Sequence, residues 1–257
     1  MKTKVMRRVS KASPLPLYYQ LKEILQEMID NEELKPGDAA PPERELCEIH
    51  DISRMTARKA VMALVNEGVL YREQGKGTFV AAPKPKHQLT QLRGFTEEMK
   101  EQGLAVETKI LTFDETEPTV TIRKRLMMPP ADNRVIETRR LRIVDDLPFA
   151  LETVWLNEAK CPGLNREAIE GRSLYAVLKE QYNCRPSYAR QTIEPIQLND
   201  YESGLLGLPK GSLGLLFSRT TYLDNGEVVE FTKCIYRSDK HKYEVILRAE
   251  EKKYSES

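Results

Sequence analysis

Between residues 16 and 31 the apolar side chains Leu17, Leu21, Ile24, Leu25 and Met28 recur every three or four positions, which places them on one face of an amphipathic helix. Pro36-Gly37 turns the chain. A shorter helix is expected over residues 42–49, with a proline at its start, where a missing N–H costs nothing, and Glu43 and Glu45 in the first turn. Asp51-Ile52 breaks that run, and Ser53 offers an oxygen to cap a third helix over residues 54–66, closed by Gly68 in a left-handed conformation. Within it Ala57, Ala60, Val61 and Leu64 form a stripe that can be buried, leaving Met55, Arg58 and Lys59 outward. After Gly68 the period drops to two, and residues 69–72 and 78–81 read as the strands of a hairpin.

Residues 82–88, APKPKHQ, read as a linker. Beyond it a helix capped by Gly94 or Thr96 runs to about Gln102 and stops at Gly103. Strand-like runs then dominate, at 109–113, 135–144, 149–156, 191–198, 214–223 and 228–235, with turns at Asp145-Asp146 and Asp224-Asn225-Gly226. Helical spacing returns at 119–126, 173–182 and 200–206. The pattern implies an α+β chain: an arm and helical reading domain over 1–81, a linker over 82–88, and a second domain over 89–257 built on a largely antiparallel sheet. A length of 257 residues allows each domain its own core.

Two short helices across a tight turn, backed by a hairpin, are the elements of a winged helix-turn-helix. In that motif the start of the second helix meets base edges, and arginine suits guanine or a phosphate, so Arg54 and Arg58 are the leading candidates for contact with double-stranded DNA. Gly75 and Gly77 flank Lys76 at the hairpin tip, where backbone and charge can approach a phosphate chain. The formal net charge of +1 argues neither way, so the motif carries the claim. Locally, Lys2, Lys4, Arg7, Arg8 and Lys11 form an arm without an acid, which reads equally as added DNA affinity or as a solvated start.

Cys47, Cys161, Cys184 and Cys234 form no C-x-x-C pair, and His50, His87 and His241 add no ligand spacing, so neither a metal nor a cofactor is expected. No apolar stretch reaches the roughly 18 residues of a membrane span, and no apolar leader is present; a cytoplasmic protein with reduced thiols is expected.

In the second domain Arg140 and Arg142 lie two apart on a strand, hence on one face, and could fork a phosphate. Glu152, in the paired strand, could accept from a sugar hydroxyl. Ser173 begins a helix with Tyr175 two residues on, and Glu230, Tyr236 and Arg237 cluster late, where residues 236–239 interrupt a strand. A helix start near 94–96 is a natural anion site. Singly, each of these reads as well as a surface charge or structural hydrogen bond.

Arg44-Glu45-Leu46, Ser53-Arg54-Met55-Thr56-Ala57-Arg58, Glu67-Gly68 and Gln74-Gly75-Lys76-Gly77-Thr78-Phe79-Val80 closely resemble the winged-helix domain of GntR-type bacterial transcription regulators. The chain departs from that pattern at Ala40-Pro41-Pro42-Glu43, where the family usually carries Leu-Pro-Ser-Glu. The resemblance adds Arg44, Ser53, Thr56 and Lys59 to the DNA-contacting set. Gly94-Phe95-Thr96-Glu97-Glu98-Met99, Arg140-Leu141-Arg142 with Pro148 and Glu152, Ser173-Leu174-Tyr175 and Tyr236-Arg237-Ser238-Asp239 resemble the effector-binding UTRA domain of the HutC branch, which is similar in fold to chorismate lyase. That resemblance implies Gly94, Phe95, Thr96, Arg140, Arg142, Ser173 and Tyr175 for a phosphate, Glu152, Glu230 and Tyr236 for a sugar, and Arg190 as a weaker member. It further implies a homodimeric repressor on a palindromic operator, modulated by a phosphorylated sugar, with N-acetylglucosamine 6-phosphate the best fit. Two other classes stand beside it: a chorismate lyase-like enzyme using Glu152 or Glu230, for which no nucleophile and base pair is apparent, and a DNA binder without effector.

Overall fold

The computed structural model describes residues 7–83, 86–88, 91–240 and 242–247. It divides into two compact units, residues 1–85 with 238–240, and residues 86–237 with 241–257. Each is built as its own core.

The first unit contains α1 (Leu17–Asp30), α2 (Glu43–His50), α3 (Arg54–Asn66) and the hairpin β1 (Leu70–Glu73) and β2 (Gly77–Val80). Leu21, Leu25, Leu46, Val61, Leu64 and Leu70 are buried together, and Ala57 and Ala60 let α3 approach its neighbours closely. The Ser53 hydroxyl accepts the Thr56 N–H at 3.2 Å, as an N-cap should. Gly68 at φ +71 allows the Val69 N–H to return to the Leu64 carbonyl at 2.9 Å. That bond keeps Val69 in the cap, so β1 begins at Leu70, one residue later than the sequence pattern suggests. At α2 the N-cap is Pro42, and no side chain caps the helix.

His50 is buried at the end of α2, and neither ring nitrogen has a hydrogen-bond partner. Burial, reinforced by the nearby Arg8 charge, pulls its pKa below the usual 6.5. The unfolded chain therefore binds more protons than the folded one as pH falls below about 6.5, and stability falls with it. His50→Leu is expected to remove that part of the acid sensitivity; equal pH slopes of Tm for both proteins between neutrality and mild acid would contradict it.

The second unit contains α4 (Phe95–Glu101), β4 (Val106–Thr116), α5 (Val120–Arg125), β5 (Val135–Val144), β6 (Leu147–Asn157), α6 (Arg166–Ile169), α7 (Leu174–Tyr182), β7 (Pro186–Gln197), α8 (Asp200–Leu205), β8 (Leu213–Leu223) and β9 (Val228–Arg237). Six strands form one antiparallel sheet in the order β4-β5-β6-β9-β8-β7. Alternation along β5 sorts its side chains. Ile136 faces the core beneath α6 and α7, Val144 packs with Phe95 and Met99 of α4, and Leu141 turns to the opposite face with Leu206 beyond α8. Arg140 and Arg142, of the same parity as Ile136 and Val144, therefore project into the face that α4 and α7 cover.

Three stretches differ from the sequence expectation. Lys86–Gln88, expected within the linker, forms β3 and pairs in parallel with β10 (Lys242–Glu244), a partner too distant in sequence to leave a local signal. β7 begins at Pro186 rather than 191, and its exposed polar positions hide it from an apolar pattern. β9 continues through Tyr236 and Arg237, because Arg237 pairs in register with Gly214 instead of breaking the strand. Among the described residues no helix is long and apolar enough to cross a membrane.

Candidate functional site

On the first unit, Arg54 and Arg58 project from the first turns of α3 into solvent, and among the described residues neither makes an ion pair. The other candidate cations are engaged. Arg44 pairs with Glu48 at 3.0 Å, Lys76 with Glu73 at 2.9 Å, and Lys59 Nζ sits 3.8 Å from the centre of the Tyr18 ring. Ser53 and Thr56 join their hydroxyls at 2.9 Å in the α3 cap, which fixes the entry of the recognition helix. Gly75 and Gly77 flank Lys76 at the tip of the hairpin, and Arg72 ties that hairpin to Glu43 of α2 at 2.8 Å. Of the arm, Lys2 and Lys4 lie outside the described residues, while Arg7 and Lys11 pair with Glu27 and Asp51.

On the second unit, ten of the eleven effector candidates line a single pocket: Gly94, Phe95, Thr96, Arg140, Arg142, Glu152, Ser173, Tyr175, Glu230 and Tyr236. It encloses about 570 Å³ of space not filled by atoms. Arg190 is the exception. Gln191 beside it faces the pocket, so alternation along β7 sends Arg190 to the opposite, exposed side of the strand. Sequence reasoning missed Arg219, Gln191 and Thr232 on the pocket walls. An arginine inside the apolar run of β8 was the signal for Arg219.

Glu152 stands directly opposite Arg140 in the β5–β6 register. Its Oε2 lies 2.6 Å from Arg140 Nη2 and accepts from Arg142 at 2.7 and 3.1 Å, so its first role is to hold the arginine pair rather than to wait for a hydroxyl. All three contacts fall on one oxygen, which leaves Oε1 for a ligand. Arg142 also donates to Thr108 at 2.7 Å and lies over the Phe95 ring, so its donors are saturated. Arg140 is different. It is 2% exposed, and its Nε and Nη1 have no partner.

Burial, then the neighbouring Arg142 charge, lowers the Arg140 pKa to about 10, still well above neutrality, so the group stays charged. Burial would raise Glu152, but Arg140 and Arg142 outweigh it and hold the carboxyl below its usual value. Glu230 is pushed the other way by burial, against the opposing pull of the Tyr175 hydroxyl, which donates to it at 2.6 Å, and of Arg219. Arg140, Arg142 and Arg219 thus face the two buried carboxylates Glu152 and Glu230, and the pocket floor carries excess positive charge. Phe95, Phe149, Phe217 and Tyr236 form an aromatic wall, with the Phe217 and Tyr236 rings 4.9 Å apart.

The helix starts expected to hold an anion already hold one. The Glu97 carboxylate accepts the Gly94 N–H at 2.8 Å and the Ser173 hydroxyl at 2.9 Å, tying α4 to α7. A Cβ on Gly94 would stand 2.5 Å from that carboxylate, so only glycine permits the contact without a shift. Among the described residues no cluster of three or more His, Cys, Asp or Glu could hold a metal ion.

A family model described as the UTRA domain matches residues 101–242, and one described as bacterial regulatory proteins, gntR family, matches residues 17–80. The HTH-type transcriptional repressor NagR of Bacillus subtilis (strain 168) is 38% identical over 236 residues, covering 91% of this chain and 96% of that protein. The mannosyl-D-glycerate transport/metabolism system repressor MngR of Escherichia coli (strain K12) is 30% identical, with 91% and 96% covered. The crystal structure of PhnF from Mycobacterium smegmatis superposes with a TM-score of 0.61 at 26% identity, covering 91% of this chain and 99% of that one.

Proposed function

The chain belongs to the gntR family of bacterial regulatory proteins, with a UTRA domain behind its reading head, and from that premise we propose a repressor that grips a palindromic operator as a homodimer and is modulated by a phosphorylated sugar. It is a DNA-binding transcription regulator of the GntR/HutC type and not an enzyme. The observation that carries the effector reading is Arg140, a buried guanidinium with two unmet donors in a pocket of excess positive charge. Each unmet buried donor costs about 1–3 kcal/mol until something accepts from it. An anion removes that cost, and only while bound.

In this reading the phosphate takes Arg140 Nε and Nη1 and displaces Glu97 from Gly94 and Ser173, so that the starts of α4 and α7 pass from an internal carboxylate to an external anion. Phe95 and Thr96 move with that loop. Tyr175, Glu152 Oε1, Glu230 and Tyr236 meet sugar hydroxyls. N-acetylglucosamine 6-phosphate is the proposed effector, and its test is thermal shift against its unphosphorylated parent. The phosphate is expected to raise Tm and the parent sugar to leave it unchanged; equal shifts would defeat the reading.

DNA contact is assigned to Arg54 and Arg58, with Gly75, Lys76 and Gly77 at the wing and Arg44, Ser53, Thr56 and Lys59 on the phosphate chain. Arg58→Ala is expected to weaken operator binding by about 1–3 kcal/mol. Fluorescence anisotropy with labelled operator measures it. The effector-induced Tm shift should be untouched, and a parallel loss of both would mean a damaged fold rather than a lost contact.

A further inference from the structure

We infer that the outer edge of the six-stranded sheet, strand β7, is where two copies of this chain join, pairing antiparallel about a twofold axis at Thr192 into one continuous sheet. This rests on the homodimer proposed above and supplies its interface.

A sheet has two ends, and here they are β4 and β7. The β4 end is guarded: its register shifts between Ile110 and Thr112, and Glu107, Lys109, Asp114 and Glu115 line it. Bulges and charges of this kind keep an edge from templating another strand. β7 lacks that protection. From Tyr188 to Gln197 it runs in unbroken register with β8, and among the described residues no strand pairs with its outer side. Tyr188 is 48% exposed and stacks on Tyr222 with ring centres 4.6 Å apart, while Ile193 is 40% exposed. A long, regular edge with apolar side chains in water is a surface awaiting a partner strand.

Charge selects the partner and the register. A twofold axis normal to the sheet keeps each side chain on its own face, so the axis must pass through a residue and directly opposed positions share parity. With the axis at Thr192, Arg190 stands opposite Glu194 of the partner subunit, and symmetry repeats the pair. The same alignment sets Tyr188 against Ile196 of the partner subunit. Moving the axis to Arg190 or to Glu194 opposes like charges. Axes at Gln191 or Ile193 leave both charges facing uncharged residues. Neither Arg190 nor Glu194 has an ion-pair partner among the described residues, so both remain available. Pro195, which has no N–H, limits the ladder to the residues nearest the axis.

The test is the mass of the full chain by sedimentation, with Arg190→Glu, Glu194→Arg and both together. Each single reversal opposes like charges twice across the axis and is expected to raise the dimer dissociation constant about tenfold or more, with the double reversal restoring it. Thr192→Cys, on the axis, places two thiols about 4.5–5.5 Å apart by Cα, within disulfide reach. It should give a covalent dimer on a non-reducing gel, whereas the wild type and Lys179→Cys, exposed on α7, should not. A wild-type dimer indifferent to all three charge variants, with no crosslink at 192, overturns this interface and leaves the homodimer standing. A monomeric wild type overturns both.

Discussion

Arg140→Met is expected to abolish the effector-induced rise in Tm while leaving the protein without effector as stable as the wild type, or more so. The substitution removes two buried donors that nothing satisfies and keeps the side-chain volume, so the folded state loses a cost rather than a contact. Glu152 retains Arg142 as its partner. Effector binding, by contrast, loses a charge-assisted fork, which costs about 2–5 kcal/mol when one side of such a pair is deleted. Calorimetric titration with N-acetylglucosamine 6-phosphate separates the two effects. A destabilised variant that still binds would show that Arg140 is structural.

Glu152→Gln should act in the opposite way, collapsing stability directly. Two guanidinium groups, each under 5% exposed at the side chain, would then share the sheet face without their carboxylate. Breaking a buried pair from one side costs about 3–5 kcal/mol. The pH dependence follows from the same contacts. Because the folded chain holds Glu152 below its usual 4.5, the stabilisation is complete above that pH and is lost as pH falls through the folded value. Glu152→Gln, lacking it already, should lose less Tm than the wild type on acidification below about 4.5. Chemical denaturation at two pH values tests both statements, and an unchanged midpoint for the variant would refute them.

The reading head was almost wholly legible in the sequence because its determinants are local. A hydroxyl at Ser53, a glycine at 68 and alanines at helical spacing act within a few residues of themselves, and the structure places each of them as that spacing implies. The second unit was legible in its parts but not in its pairings. Strand parity put Arg140 and Arg142 on one face, yet the opposition of Arg140 and Glu152 depends on a register that no local pattern fixes. That is why Glu152 read as a sugar acceptor when its first duty is to neutralise two arginines. Arg219 and Gln191 come to the pocket from strands far along the chain, and the Glu97 bridge between α4 and α7 joins residues 76 positions apart. Arg190 went astray for the converse reason: its proximity in sequence to the pocket residue Gln191 is what turns it away from the pocket.

The arginine face of α3 and the anion pocket of the second unit together make a regulator whose two ligands must sense one another. If they do, each changes the affinity of the other by the same factor, since coupling between binding sites is reciprocal. The direct measurement is a pair of calorimetric titrations, operator DNA into protein with and without N-acetylglucosamine 6-phosphate, and the sugar phosphate into protein with and without operator. The account predicts equal shifts of both dissociation constants, by roughly 5–150-fold. Two ligands that bind with no effect on one another would contradict it.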